Sequence, residues 1–123
     1  MVDKGQREGQ EAKWPSLSKK ERDRRWGRVK DLMKARGLDC LVVFGLKGRE
    51  FFDRYLTNDR TGGIAIFPLE GELAHLTWAP FDMTAHLEST LRGEDSWVKD
   101  MRLAANGPGV VKVLKEKGYE RAN

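Results

Sequence analysis

The chain has 123 residues, with 23 Lys+Arg, 19 Asp+Glu and one Cys. That length builds one compact domain and leaves too little for two, and 39% hydrophobic residues with 9% aromatics supply a core and exclude wholesale disorder. A single cysteine excludes an internal disulfide and fits a reducing compartment, so a cytoplasmic protein is expected.

The longest apolar runs, Leu41-Val42-Val43-Phe44 and Gly63-Ile64-Ala65-Ile66-Phe67, are far short of the ~20 residues of a membrane span. No apolar segment follows the N-terminal charges, so no signal peptide is expected and no membrane partner either. The net charge of +4 points toward nucleic acid only until it is divided. Residues 1–36 hold 12 Lys/Arg against 6 Asp/Glu, whereas residues 37–123 are slightly acidic. The excess belongs to a leader and one helix, not to a folded face with a coherent basic stripe. A solvated helix behind a charged leader is the plainer account, and no nucleic-acid partner is expected.

In chain order, residues 1–15 are charged and polar and predict a disordered leader, so the single domain is expected over 16–123. Ser18-Lys19-Lys20-Glu21 has the form of a capping box. The helix behind it runs to about Ala35, with Trp26, Val29, Leu32 and Met33 as its apolar stripe and Gly37 beyond its end. Leu38 to Phe44 predicts a strand. Its lack of polar alternation suggests a central position covered on both faces. Glu50 to Leu56 predicts a brief helix and 58–63 a loop. Gly63 to Pro68 and Leu73 to Trp78, joined by Leu69-Glu70-Gly71-Glu72, predict a β-hairpin. Phe81 to Leu91 predicts a helix, with Met83, Leu87 and Leu91 four apart. Ser96 to Leu103 alternates like a strand. Asn106-Gly107-Pro108-Gly109 opens a last helix that Gly118 closes. The order α-β-α-β-β-α-β-α describes an α/β domain, a mixed sheet with helices packed on it.

Chemistry-bearing residues are scattered. His75 lies mid-strand and His86 in a helix, and neither has a partner at metal-binding spacing, so ordinary core or surface roles are expected. Asp59 and Asp82 read as a loop residue and a helix-start residue. Cys40 opens an apolar strand, where a thiol acts as a small hydrophobe. No Ser lies in a G-x-S-x-G elbow and no Walker A loop exists. Gly45 to Gly48 has a G-x-x-G form, but it follows a strand instead of joining two helices as a KH clamp does. Lys47 and Arg49 in that loop could meet an anion, although solvated loop charges explain them as well.

One order of features resembles a known family. Arg25-Trp26-x-x-Val29-x-x-Leu32-Met33 runs into Arg36-Gly37-Leu38-Asp39-Cys40-Leu41-Val42-Val43. Phe52-x-x-Tyr55-Leu56-Thr57 follows, then an apolar strand ending in Pro68, then Glu70-Gly71-Glu72 and a second strand. Val111-x-Val113-Leu114-x-x-Lys117-Gly118-Tyr119 comes last. Over residues 18–119 this resembles the N-terminal domain of the creatinase / Xaa-Pro peptidase family, which includes prolidase and aminopeptidase P.

The resemblance implies a ribonuclease H-like α/β fold in a non-catalytic domain that supports dimerisation and shapes a substrate pocket. It implies no catalytic residue, metal ligand or cofactor in this chain. The dinuclear divalent metal site, with two Asp, one His and two Glu, belongs to a separate pita-bread catalytic domain. The sequence given ends at Asn123, where a further strand would begin, so an unpaired sheet edge and a homodimer are expected. By position, Lys47, Arg49, Asn58, Asp59 and Arg60 are the candidates to line a pocket or face a partner. The alternative is a stand-alone module that binds an anionic ligand or nucleic acid through the basic helix.

Overall fold

The computed structural model describes residues 17–45, 52–59, 62–94 and 96–121. The expected leader lies outside them. The described chain is a mixed four-stranded sheet flanked by helices.

Helix α1 spans Lys19–Ala35. Ser18 Oγ accepts from the Glu21 N–H at 3.2 Å. Only this half of the expected capping box is made. The Glu21 carboxylate turns to Arg24 and Arg25 instead, at 2.6 and 3.0 Å, because two guanidiniums outcompete one backbone N–H for a carboxylate. Hydrogen bonds from Arg24 and then Arg25 hold its pKa down at about 2. Gly37 takes φ +66°, and the Leu38 N–H reaches back to the Met33 carbonyl at 2.9 Å, so α1 ends in a Schellman turn.

Strand β1 is Cys40–Phe44, β2 is Gly63–Pro68, β3 is Ala74–Thr77 and β4 is Asp100–Arg102. Between β1 and β2 lies the short helix α2, Arg54–Thr57. Helix α3, Pro80–Leu91, links β3 to β4, and α4, Gly107–Glu116, follows β4. The sheet order is β1-β2-β3-β4. The first three strands form an antiparallel meander, and β4 lies parallel to β3 after the α3 crossover.

Two expectations are corrected. β1 is an edge strand, not a central one. Its unbroken apolar run reports layers on both faces of the sheet, which edge and centre share. The positions buried throughout are those of β2 and β3. Secondly, the strand expected over 96–103 shrinks to Asp100–Arg102. Trp97 and Val98 are buried ahead of it without strand pairing. The Trp97 indole N–H donates to the Leu17 carbonyl at 3.0 Å, so a side chain that mimicked strand alternation instead anchors the entry to α1.

The two faces carry separate cores. On one face Met33, Leu56, Ala65, Phe67, Leu73, Trp97 and Val98 pack together, with Trp26 and Val29 of α1 against them. The Trp26 and Phe67 rings meet edge to face at 5.4 Å, and Trp26 Nε1 donates to the Leu56 carbonyl at 2.8 Å, which seats α2 beside α1. On the other face Ile64, Ile66, Ala74 and Leu76 meet Ala105 and Val113, with Val110 and Leu114 of α4 alongside. Asn106 caps α4 by accepting from the Gly109 N–H at 2.8 Å. Helix α3 differs from the others because it buries no residue. Its Leu87 and Leu91 are exposed. The residues it turns inward include Asp82, His86 and Ser89, all half-buried.

Candidate functional site

The pairing register sets one end of the sheet as the place where chemistry gathers. Phe44 pairs with Ile64, and Gly63 pairs with Thr77. β1 and β3 therefore end where β2 begins. The connection that carries α2 leaves and returns at this end.

Across β1 to β4, Val43, Ala65, His75 and Met101 form one row on the α1 face. His75 is thus buried in the middle of the sheet. At the next positions outward the strands carry Gly45 and Gly63, whose backbones bond at 2.7 Å. With no side chain on Gly45, the Asp53 carboxylate drops into the space, since a Cβ on Gly45 would collide with Asp53 Oδ1. Asp53 Oδ2 accepts from the Gly63 N–H at 3.1 Å and lies 2.9 Å from His75 Nε2. From the far side of α2, Asp59 Oδ2 lies 3.7 Å from His75 Nδ1. One imidazole therefore stands between two carboxylates, one from each limb of the connection.

Burial pushes the His75 pKa down, but the hydrogen bond to Asp53 and the negative charges of Asp53 and Asp59 outweigh it. The pKa settles at about 9. His75 and Asp53 are buried at 0% exposure, and the Asp59 side chain reaches the surface at 24%. A hydroxyl beside Asp59, Thr57 Oγ1, accepts from the Asp59 N–H at 3.2 Å and is itself buried. Among the described residues no group of three or more His, Cys, Asp or Glu could hold a metal ion. The arrangement neutralises buried charge and ties chain segments together. It offers no exposed nucleophile with a base beside it.

Phe44, Phe52, Trp78 and Phe81 are all substantially exposed, with Phe81 at 73%. They come from the end of β1, the approach to α2, the end of β3 and the start of α3. The Trp78 indole N–H points across β2 to the Gly45 carbonyl at 3.4 Å. Thr77 Oγ1 donates to Asp82 Oδ2 at 2.7 Å, which fixes the start of α3 to this end.

Of the residues singled out from sequence, Lys47, Arg49 and Arg60 lie outside the described residues. Asn58 is exposed and ends α2 in the left-handed region, φ 50°, its N–H donating to the Arg54 carbonyl at 2.8 Å. Asp59 turns its carboxylate inward to His75. His75 is the core histidine expected, but its partners, Asp53 and Asp59, were not visible at a spacing of 22 and 16 residues. The available signal was chemical. An Asp among Phe52, Tyr55 and Leu56 and a lone His in an apolar strand are two polar groups that burial forces to find partners.

No family model matches the chain. No curated protein matches it in sequence.

Proposed function

We propose that this chain is a non-catalytic N-terminal accessory domain of a creatinase / Xaa-Pro peptidase-like metallohydrolase, of the ribonuclease H-like α/β type. It pairs with a second copy and borders a substrate pocket. It carries no cofactor, and the dinuclear divalent metal belongs to the catalytic domain. The observation that carries this reading is the end of the sheet described above. Four exposed aromatics, Phe44, Phe52, Trp78 and Phe81, come from the segments that meet at this end, and its acid–histidine pair, Asp53 and His75, is buried. That combination suits contact, not turnover. The element order, from α1 through the β2–β3 hairpin to α4, is in keeping with the resemblance. A cytoplasmic location goes with that reading.

The basic helix does not favour the nucleic-acid alternative. At least four of its eight cations are engaged within the chain. Arg24 and Arg25 bond Glu21, Arg22 pairs with Asp23 and stacks on Trp26, and Lys30 lies over Phe67.

The reading frame that follows Asn123 tests the proposal. An Asp…Asp…His…Glu…Glu series of metal ligands is expected there, and a stop codon directly after Asn123 would overturn the accessory-domain reading. Light scattering on the purified chain is expected to give a dimer, and a monomer at all concentrations would remove the pairing role.

A further inference from the structure

The α2 connection is held by a device that the proposed accessory role does not require. We propose that His75 is a charged clasp: a buried imidazolium that grips a carboxylate on each limb of the connection, Asp53 through Nε2 and Asp59 through Nδ1, so that loss of its proton releases both limbs while the sheet stays paired.

The geometry argues for the charged ring before any titration is considered. A carboxylate oxygen only accepts hydrogen bonds. A neutral imidazole has one N–H and one lone pair. Facing two carboxylates, at 2.9 and 3.7 Å, a neutral ring would turn its lone pair toward one of them. Only the doubly protonated ring presents a donor to both. His75 Nδ1 is buried and reaches no hydrogen-bond acceptor closer than Asp59, so its proton is held by charge across that gap. Asp53 is buried with one oxygen on Gly63 N–H and His75, and its other oxygen, Oδ1, has no hydrogen-bond partner. A carboxylate so placed needs a cation beside it.

Among the described residues, the charges that act on the ring are those of Asp53 and Asp59. β2 and β4 place Ala65 and Met101 beside it in the row. α2 contributes Arg54, the residue that follows Asp53 in the chain. α1 contributes Arg25, but its guanidinium lies over Tyr55 and Trp97 and donates to the Tyr55 carbonyl. The groups that set the ring's protonation are Asp53 and Asp59.

Release is local for a structural reason. α2 is seated independently, through buried Leu56 and the Trp26 indole on the Leu56 carbonyl. The β1–β2 and β2–β3 ladders are backbone pairings that do not use the imidazole. What depends on His75 is the approach to α2 at Phe52–Asp53 and the exit at Asn58–Asp59. These limbs carry one exposed aromatic of the sheet end and two of the residues singled out from sequence, so the clasp sets the shape of that surface.

Nuclear magnetic resonance of the imidazole nitrogens tests this, with His86→Gln removing the chain's other histidine. Both ring nitrogens of His75 are expected to be protonated at neutral pH, with loss of the proton centred near 9. A single neutral tautomer at neutral pH would overturn the proposal. Hydrogen exchange followed by mass spectrometry reads the release. Exchange in 52–59 should rise through the same midpoint while amides of β2 and β3 keep their protection. If the strands open together with the connection, the clasp is not a local device. Asp59→Asn is the informative substitution, because it removes one grip and leaves the ring and Asp53 in place. It should lower the His75 midpoint by roughly one unit, and an unchanged midpoint would remove the Asp59 arm.

Discussion

The Asp53 carboxylate occupies the space that a side chain on Gly45 would need. The two residues are eight apart in sequence and belong to the end of β1 and the approach to α2. Their fit explains why the chain carries glycine there. A Cβ on residue 45 would meet both carboxylate oxygen and carbon, with the Gly63 carbonyl only 3.2 Å away. Gly45→Ala must therefore displace Asp53 from His75 or open the edge of the sheet. We expect a loss of about 2–3 kcal/mol, the scale of overpacking combined with an unpaired buried charge. Urea denaturation of the variant measures it. A loss below about 0.5 kcal/mol would show that Asp53 has room to move.

The His75 cluster predicts how stability depends on pH. The folded-state pKa of about 9 lies above the ordinary value of 6.5. Between those values the native chain holds a proton that the unfolded chain has lost, so unfolding becomes easier as pH rises. The contribution is complete below about 6.5 and disappears as pH passes through 9. Its size is on the order of 3 kcal/mol. Denaturation midpoints at mildly acidic and at alkaline pH should fall in that order. A midpoint that rises with alkali would contradict the charged pair.

Asn58 ends α2 at φ 50°. Asn tolerates the left-handed region and Ala does not. Asn58→Ala should cost about 1 kcal/mol, and Asn58→Gly should be nearly neutral. Thermal melting of the two variants separates them. Equal effects would mean that the Asn58 side chain, not its backbone, matters.

Phe81 is 73% exposed and belongs to neither core. Phe81→Ser should change stability by less than about 0.5 kcal/mol. If the aromatic end is the contact face between copies, the same change should weaken self-association at least about tenfold. Sedimentation equilibrium reads that number. Unaltered association would place the contact elsewhere on the molecule.

Much of the architecture was legible along the chain. Ser18, Gly37, the 69–72 turn and Asn106 marked element ends because caps and turns act over three or four residues, within reach of local pattern. Strand order was not legible. Leu41 to Phe44 carries the same unbroken apolar run at an edge as it would at the centre, because helices cover both faces either way. Trp97 imitated strand alternation while serving a carbonyl 80 residues away. The Met83, Leu87 and Leu91 spacing identified α3 but not its orientation, since Thr77 and Asp82 fix that helix by a polar contact and leave Leu87 and Leu91 outside.

The sequence by itself determined the element order, the mixed α/β class and the absence of any local catalytic motif, for these rest on periodicity and on neighbours a few residues apart. Only the tertiary structure decided that His75 has two partners. The β1–β3 register and the side-chain gap at Gly45 bring Asp53 and Asp59 to one ring. The cost of burying a lone charge makes that meeting necessary, and long-range packing alone decides where it happens.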